Sequence, residues 1–93
     1  MKFSVSLGDF QKAIFRVLPA IPPKSTLPVL EHIHCTLINN SLSMIASDQE
    51  MTISTSFECN VESEGSVLIP ARKLNELIKS LGSEGSVEID ISP

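Results

Sequence analysis

Val67-Leu68-Ile69-Pro70-Ala71-Arg72-Lys73-Leu74-Asn75-Glu76-Leu77-Ile78-Lys79-Ser80-Leu81-Gly82 decides the fold. Val67–Ile69 is an apolar run of strand length. Pro70 stands where helices start, because its fixed φ suits the first turn. Leu74, Leu77, Ile78 and Leu81 then recur at helical spacing as one apolar stripe, and Gly82 is the expected stop. The same strand-then-helix pattern occurs once before. Moved by 64 positions, Phe3 falls on Val67, Val5 on Ile69, Phe10 on Leu74, Ala13 on Leu77, Ile14 on Ile78 and Val17 on Leu81. Amphipathic helices share such spacing by chance, but here the preceding strands agree as well, which points to an internal duplication.

Outward from this pair, the rest of the chain reads as strands and turns. Lys2–Ser6 alternates, with Phe3 and Val5 on one face. Gly8 or Asp9 starts the first helix, whose stripe is Phe10, Ala13, Ile14, Val17 and Leu18. Pro19 stops it, and Ala20–Ser25 is a stiff proline-rich loop. Pro28 opens a strand in which Ile33, Cys35 and Leu37 share a face. Asn39-Asn40 is a turn of residues that tolerate positive φ, and Leu42 and Met44 belong to the returning strand of a hairpin. Asp48-Gln49 is a further turn. Met51–Cys59 alternates with Met51, Ile53, Thr55 and Phe57 on one face, and Glu62-Ser63-Glu64-Gly65 is a turn. After the second helix, Val87, Ile89 and Ile91 form a last strand. The order is strand, helix, three strands, then strand, helix, strand. The fold class is therefore α+β: a duplicated βαβββ unit with its two helices packed on antiparallel sheet. Residues 1–60 form the first unit and residues 65–93 an incomplete second.

Composition sets the outer limits. A chain of 93 residues makes one domain at most, and 42% hydrophobic with 19% charged residues is globular composition. No apolar run approaches the roughly 20 residues that span a bilayer. The start, Met1-Lys2-Phe3-Ser4-Val5, lacks the apolar block of a signal peptide, so a cytoplasmic location is expected. Cys35 and Cys59 belong to no CxxC pair and are expected to be free thiols in a reducing compartment.

A net charge of −4 counts against nucleic acid only if the charge is evenly spread. It is not. The basic residues are Lys2, Lys12, Arg16, Lys24, Arg72, Lys73 and Lys79, and all but Lys2 fall on the two helices or the loop after the first. Of the eleven acids, Asp9 and Glu76 alone fall on helices. An acidic chain built this way can still present one basic layer to phosphate. The competing explanation is that Lys and Arg are good helix formers on solvated faces.

Four segments resemble the bacterial beta sliding clamps, the rings that tether DNA polymerase to its template. They are Met1-Lys2-Phe3, Thr26-Leu27-Pro28-Val29-Leu30, Ser47-Asp48-Gln49-Glu50-Met51 and Ile69-Pro70-Ala71-Arg72-Lys73-Leu74. Each is short, but their order and spacing extend over nearly the whole chain. The resemblance implies a non-enzymatic DNA polymerase processivity factor, the beta subunit of DNA polymerase III. It implies three tandem domains per subunit and two subunits closed head to tail, with helices lining the hole around double-stranded DNA and sheets outside. Phosphate contacts hold the duplex without preferring any sequence, which permits sliding. Against the family pattern this sequence stops within the first domain, before the last strands of the second unit. In the family, polymerase and clamp loader engage domains beyond this one, so the resemblance implies that their pocket lies outside this sequence.

The resemblance assigns roles to Lys24, Lys73 and Leu77, and helix position assigns those of Lys12, Arg16, Arg72 and Lys79. Lys24 takes the loop position of a DNA-touching cation. Lys12, Arg16, Arg72 and Lys79 face away from the apolar stripes, toward phosphate, and all five are expected on one side with most acids on the other. Lys73 and Leu77 match subunit-interface positions, although Leu77 fits plain core equally well. No cofactor and no metal are expected. His32 and His34 share a strand face but have no third ligand nearby. Asp48 and Glu50 suit a turn, no catalytic triad or phosphate loop is present, and the absence of Trp and Tyr disfavours a base-stacking single-strand binder. The alternative function is a free-standing small α+β interaction module without a DNA role, pairing through its open sheet edge.

Overall fold

A computed structural model describes residues 1–21, 31–48 and 50–92. Strand β1 (Lys2–Ser6) leads straight into helix α1 (Leu7–Val17), and a 3₁₀ turn follows at Leu18–Ala20. Then come β2 (His32–Ile38), β3 (Ser41–Ser47), β4 (Thr52–Glu58), β5 (Asn60–Ser63), β6 (Gly65–Pro70), α2 (Ala71–Leu81) and β7 (Ser86–Asp90). The strands form two antiparallel sheets, β5-β1-β7 and β4-β3-β2-β6. The chain is of the α+β class.

The start of α1 lies one or two residues before the Gly8 or Asp9 expected from sequence. Ser6 is the N-cap, in extended conformation, and its hydroxyl accepts from the Asp9 amide at 3.5 Å. A serine there satisfies one of the orphan amides of the first turn, so Leu7 is already helical and is buried. At the other helix, Gly82 follows Leu81 with φ +85°, a conformation that β-carbon-bearing residues resist.

The β2–β3 hairpin turns on Asn39 (φ 52°) and Asn40 (φ 57°). Two successive left-handed residues make the turn whose twist matches that of paired strands. Asn40 also anchors the chain where it changes sheet. Its carbonyl accepts from the Cys59 amide at 3.0 Å, and its side-chain oxygen accepts from the Val61 amide at 3.3 Å. Beyond Cys59 the structure corrects the sequence reading: residues 60–63 are a strand, not the approach to a turn, and Glu64 alone separates β5 from β6. In β5, Val61 is the sole apolar residue, so a period of two had nothing to repeat. Pairing with β1 holds the strand in place, supported by Lys2 against Glu62 at 3.4 Å.

The two helical segments keep a constant displacement of 64 positions, from Leu7 to Ala71 and from Val17 to Leu81. Strand pairing is reciprocal as well. The strand before each helix pairs with the strand after the other one, Phe3 opposite Ile89 in β1–β7 and Val67 opposite Cys35 in β6–β2. Within this frame one core forms. Phe3, Val5, Leu7, Phe10, Ala13, Ile14 and Val17 meet Ile33, Cys35, Leu37, Leu42, Met44 and Ala46, and from α2 come Ala71, Leu74 and Ile78.

The apolar stripe of α2 is only half buried, against expectation. Leu77 is 56% exposed and Leu81 47%, whereas their counterparts Ala13 and Val17 are fully covered. Helix α1 rests on β3 and β4, while α2 packs on β6 and on α1. Leu77 and Leu81 instead line an open cleft of about 680 Å³ between β6 and β7, floored by Phe3, Phe10, Val87 and Ile89. Among the described residues, then, Leu77 is exposed at a cleft and not enclosed in the core.

Candidate nucleic-acid interface

Helix geometry divides the basic residues into three places. Lys12 and Arg16 are exposed on the arc of α1 opposite its buried stripe, and with Gln11 and Phe15 they line a shallow depression. Arg72 and Lys79 occupy one side of α2, where Asn75, Glu76, Leu18 and Ile21 complete a groove running to the 3₁₀ turn. Lys73 lies on the opposite side of α2, on the rim of the apolar cleft with Leu77. Lys24 lies outside the described residues. On α2, the residues assigned to phosphate, Arg72 and Lys79, thus separate from those assigned to an interface, Lys73 and Leu77.

The helices are held side by side by polar as well as apolar contacts. The Gln11 side-chain amide donates to the Gly82 carbonyl at 2.6 Å and to the Ile78 carbonyl at 3.3 Å. It satisfies acceptors that the end of α2 would otherwise leave open. A β-carbon at Gly8 would meet the Ser83 carbonyl at 3.4 Å, so the segment after α2 sits directly against α1. Sequence analysis did not single out Gln11, because a lone polar residue carries no periodic signal. Phe15 lies off the apolar stripe, a position that marks it in the sequence as an exposed aromatic residue.

Electrostatically the two layers differ. Helices α1 and α2 carry Lys12, Arg16, Arg72, Lys73 and Lys79 against Asp9 and Glu76, all exposed. The strands and their connections carry Glu58, Glu62, Glu64, Glu84, Glu88 and Asp90, also exposed. The cation on β1, Lys2, is matched locally by Glu62 at 3.4 Å and Glu88 at 3.5 Å. Hydrogen bonding to Glu62 and the charges of both carboxylates hold its ammonium above the usual lysine range.

The remaining polar candidates have structural partners. His34 Nε2 lies 2.6 Å from the Ser66 hydroxyl, and among the described residues no group of three or more His, Cys, Asp or Glu is placed to hold a metal. Asp48 Oδ1 accepts from the Glu50 amide at 3.0 Å and the Met51 amide at 2.8 Å, which makes its carboxylate a turn-former. Cys35 and Cys59 are free thiols. Burial pushes the Cys35 thiol up to about 12 and the Cys59 thiol upward too, so neither is an activated nucleophile. No described helix is long and apolar enough to cross a membrane.

A family described as "DNA polymerase III beta subunit, N-terminal domain" matches residues 1–92. The chain belongs to this family. Among related proteins, it is 30% identical over 89 residues to the beta sliding clamp of Chlamydia muridarum, covering 96% of this chain and 24% of that protein. It is likewise 30% identical over 91 residues to the beta sliding clamp of Micrococcus luteus, covering 97% of this chain and 29% of the relative. In three dimensions it superimposes on the DNA polymerase sliding clamp from Caulobacter crescentus with a TM-score of 0.93 at 25% identity, over 99% of this chain and 25% of that one. A sliding clamp from Bartonella birtlesii bound to griselimycin gives a TM-score of 0.93 at 24% identity. The chain spans about a quarter of the length of these relatives. Within this chain, the helix pair is where the cations are gathered.

Proposed function

We propose that this chain is part of a sliding-clamp subunit, a non-catalytic processivity factor that encircles duplex DNA and tethers the replicative polymerase in the cytoplasm. The carrying observation is the charge asymmetry: five cations against two acids on the helix pair, with the acids gathered on strands and turns. Residues 1–60 and 65–93 act as two units of one duplicated βαβββ domain. Lys12, Arg16, Arg72 and Lys79, with Lys24 from the long connection after α1, face the phosphates. Lys73 and Leu77, on the far side of α2, serve the contact between subunits as the ring closes. Polymerase and clamp loader engage other parts of the full-length subunit. Contacts made only to phosphate carry no sequence information, so no position along the duplex is preferred and the ring slides.

Fluorescence anisotropy with short labelled duplexes of unrelated sequence tests this. Binding should be weak at low salt, equal between sequences, and lost as salt rises. Each phosphate neutralised contributes about −0.9 to the slope of log affinity against log salt, so four helix cations give a slope of about −3 to −4. Tight, sequence-dependent binding that survives added salt would contradict the proposal.

A further inference from the structure

Among the described residues Phe15 is the most exposed large hydrophobic side chain, at 76%, while Phe3 and Phe10 are buried and Phe57 is half-buried. It lies beside Lys12 and Arg16 in the shallow depression on α1. The displacement of 64 between the helices sets Phe15 in correspondence with Lys79, one of the cations assigned to phosphate. The helix layer therefore presents a cation at this position on α2 and an aromatic ring with a cation on each side on α1. Continuous duplex gives such a ring little to bind, because its bases are stacked on one another and its outer surface is phosphate and sugar. An unpaired base offers a free π face. Stacking on it is tolerant of sequence and so compatible with sliding, while Lys12 and Arg16 meet the neighbouring phosphates. With neither Trp nor Tyr in the chain, this would be a single stacking contact rather than an extended single-strand platform.

We propose, resting on the duplex-facing role of the helix layer, that Phe15 with Lys12 and Arg16 forms a contact for unpaired nucleotides, such as a single strand adjoining duplex. Two labelled probes test it, a blunt duplex and the same duplex with a short oligothymidine overhang, titrated with this chain at low salt. The overhang should strengthen binding by about tenfold, the scale of one base stacked on an aromatic ring. Phe15→Ala and Phe15→Leu should abolish that gain while leaving blunt-duplex affinity within about twofold of the parent, and Phe15→Tyr should keep it. Circular dichroism of each variant establishes that it is folded. An overhang gain that is absent, or that Phe15→Ala leaves intact, overturns this inference alone. Failure of both probes to bind overturns the duplex-facing role and this inference with it.

Discussion

Phe10→Ala is expected to destabilise the domain by about 3–5 kcal/mol, the range for removing a buried phenylalanine and leaving a cavity. Phe10 is 1% exposed and joins the two sheets through α1. Its ring lies 6.1 Å from Phe3 of the β5-β1-β7 sheet in an edge-on arrangement, and 6.4 Å from Phe57 of the other sheet. Deleting it removes dispersion contacts on both sides at once, and neighbours held in paired strands have little freedom to collapse into the space. Domains of this size have only about 5–15 kcal/mol of stability in total, so much of the margin would go. Urea unfolding followed by circular dichroism is the suitable measurement, because the chain has no Trp or Tyr to report by fluorescence. Phe15→Ala is the control. With its ring in solvent, it should change stability by no more than about 0.5 kcal/mol. Equal losses for the two variants would contradict the placement of both rings.

The second large effect is on DNA. Reversing the charge of Arg16 and Lys79 together should weaken duplex binding on the order of 100-fold at low salt, since two phosphate contacts are lost and two repulsions gained. One of these residues sits on each helix, so the double variant samples the whole layer. Lys2→Gln removes a cation from β1, where Glu62 and Glu88 already match it, and should leave affinity within about twofold. Anisotropy on one duplex compares all three proteins. If Lys2→Gln weakens binding as much as the double reversal does, net charge and not the helix layer governs the interaction.

Much of this arrangement was legible in the sequence. The helical stripes, the Gly82 stop and the Asn39-Asn40 turn are local signals with local causes, and the structure has them where periodicity and turn chemistry placed them. The displacement of 64 positions holds for both helices, and each begins directly at the end of a strand. What the sequence hid was non-local. Strand β5 has one inward apolar residue and exists because β1 lies beside it. Helical spacing alone put Leu81 in the core and left Leu77 open between core and interface, yet burial depends on what packs opposite, and both line a cleft.

At the candidate interface, the gathering of cations onto α1 and α2 followed from the helix assignments alone. The division of α2 into an Arg72–Lys79 side and a Lys73–Leu77 side followed from its orientation against β6, β7 and the 3₁₀ turn. Gln11 had no sequence signal, because its value comes from carbonyls of Ile78 and Gly82 far away along the chain.

Amide chemical-shift mapping during titration with duplex DNA tests the central claim most directly, because it reports which layer meets the phosphates. Shifts concentrated on α1 between Lys12 and Arg16, on α2 between Arg72 and Lys79, and in the connection carrying Lys24 are the expected result. Shifts concentrated instead on the outer face of the four-stranded sheet, at Ser43, Ser54, Ser56 and Glu58, would contradict it.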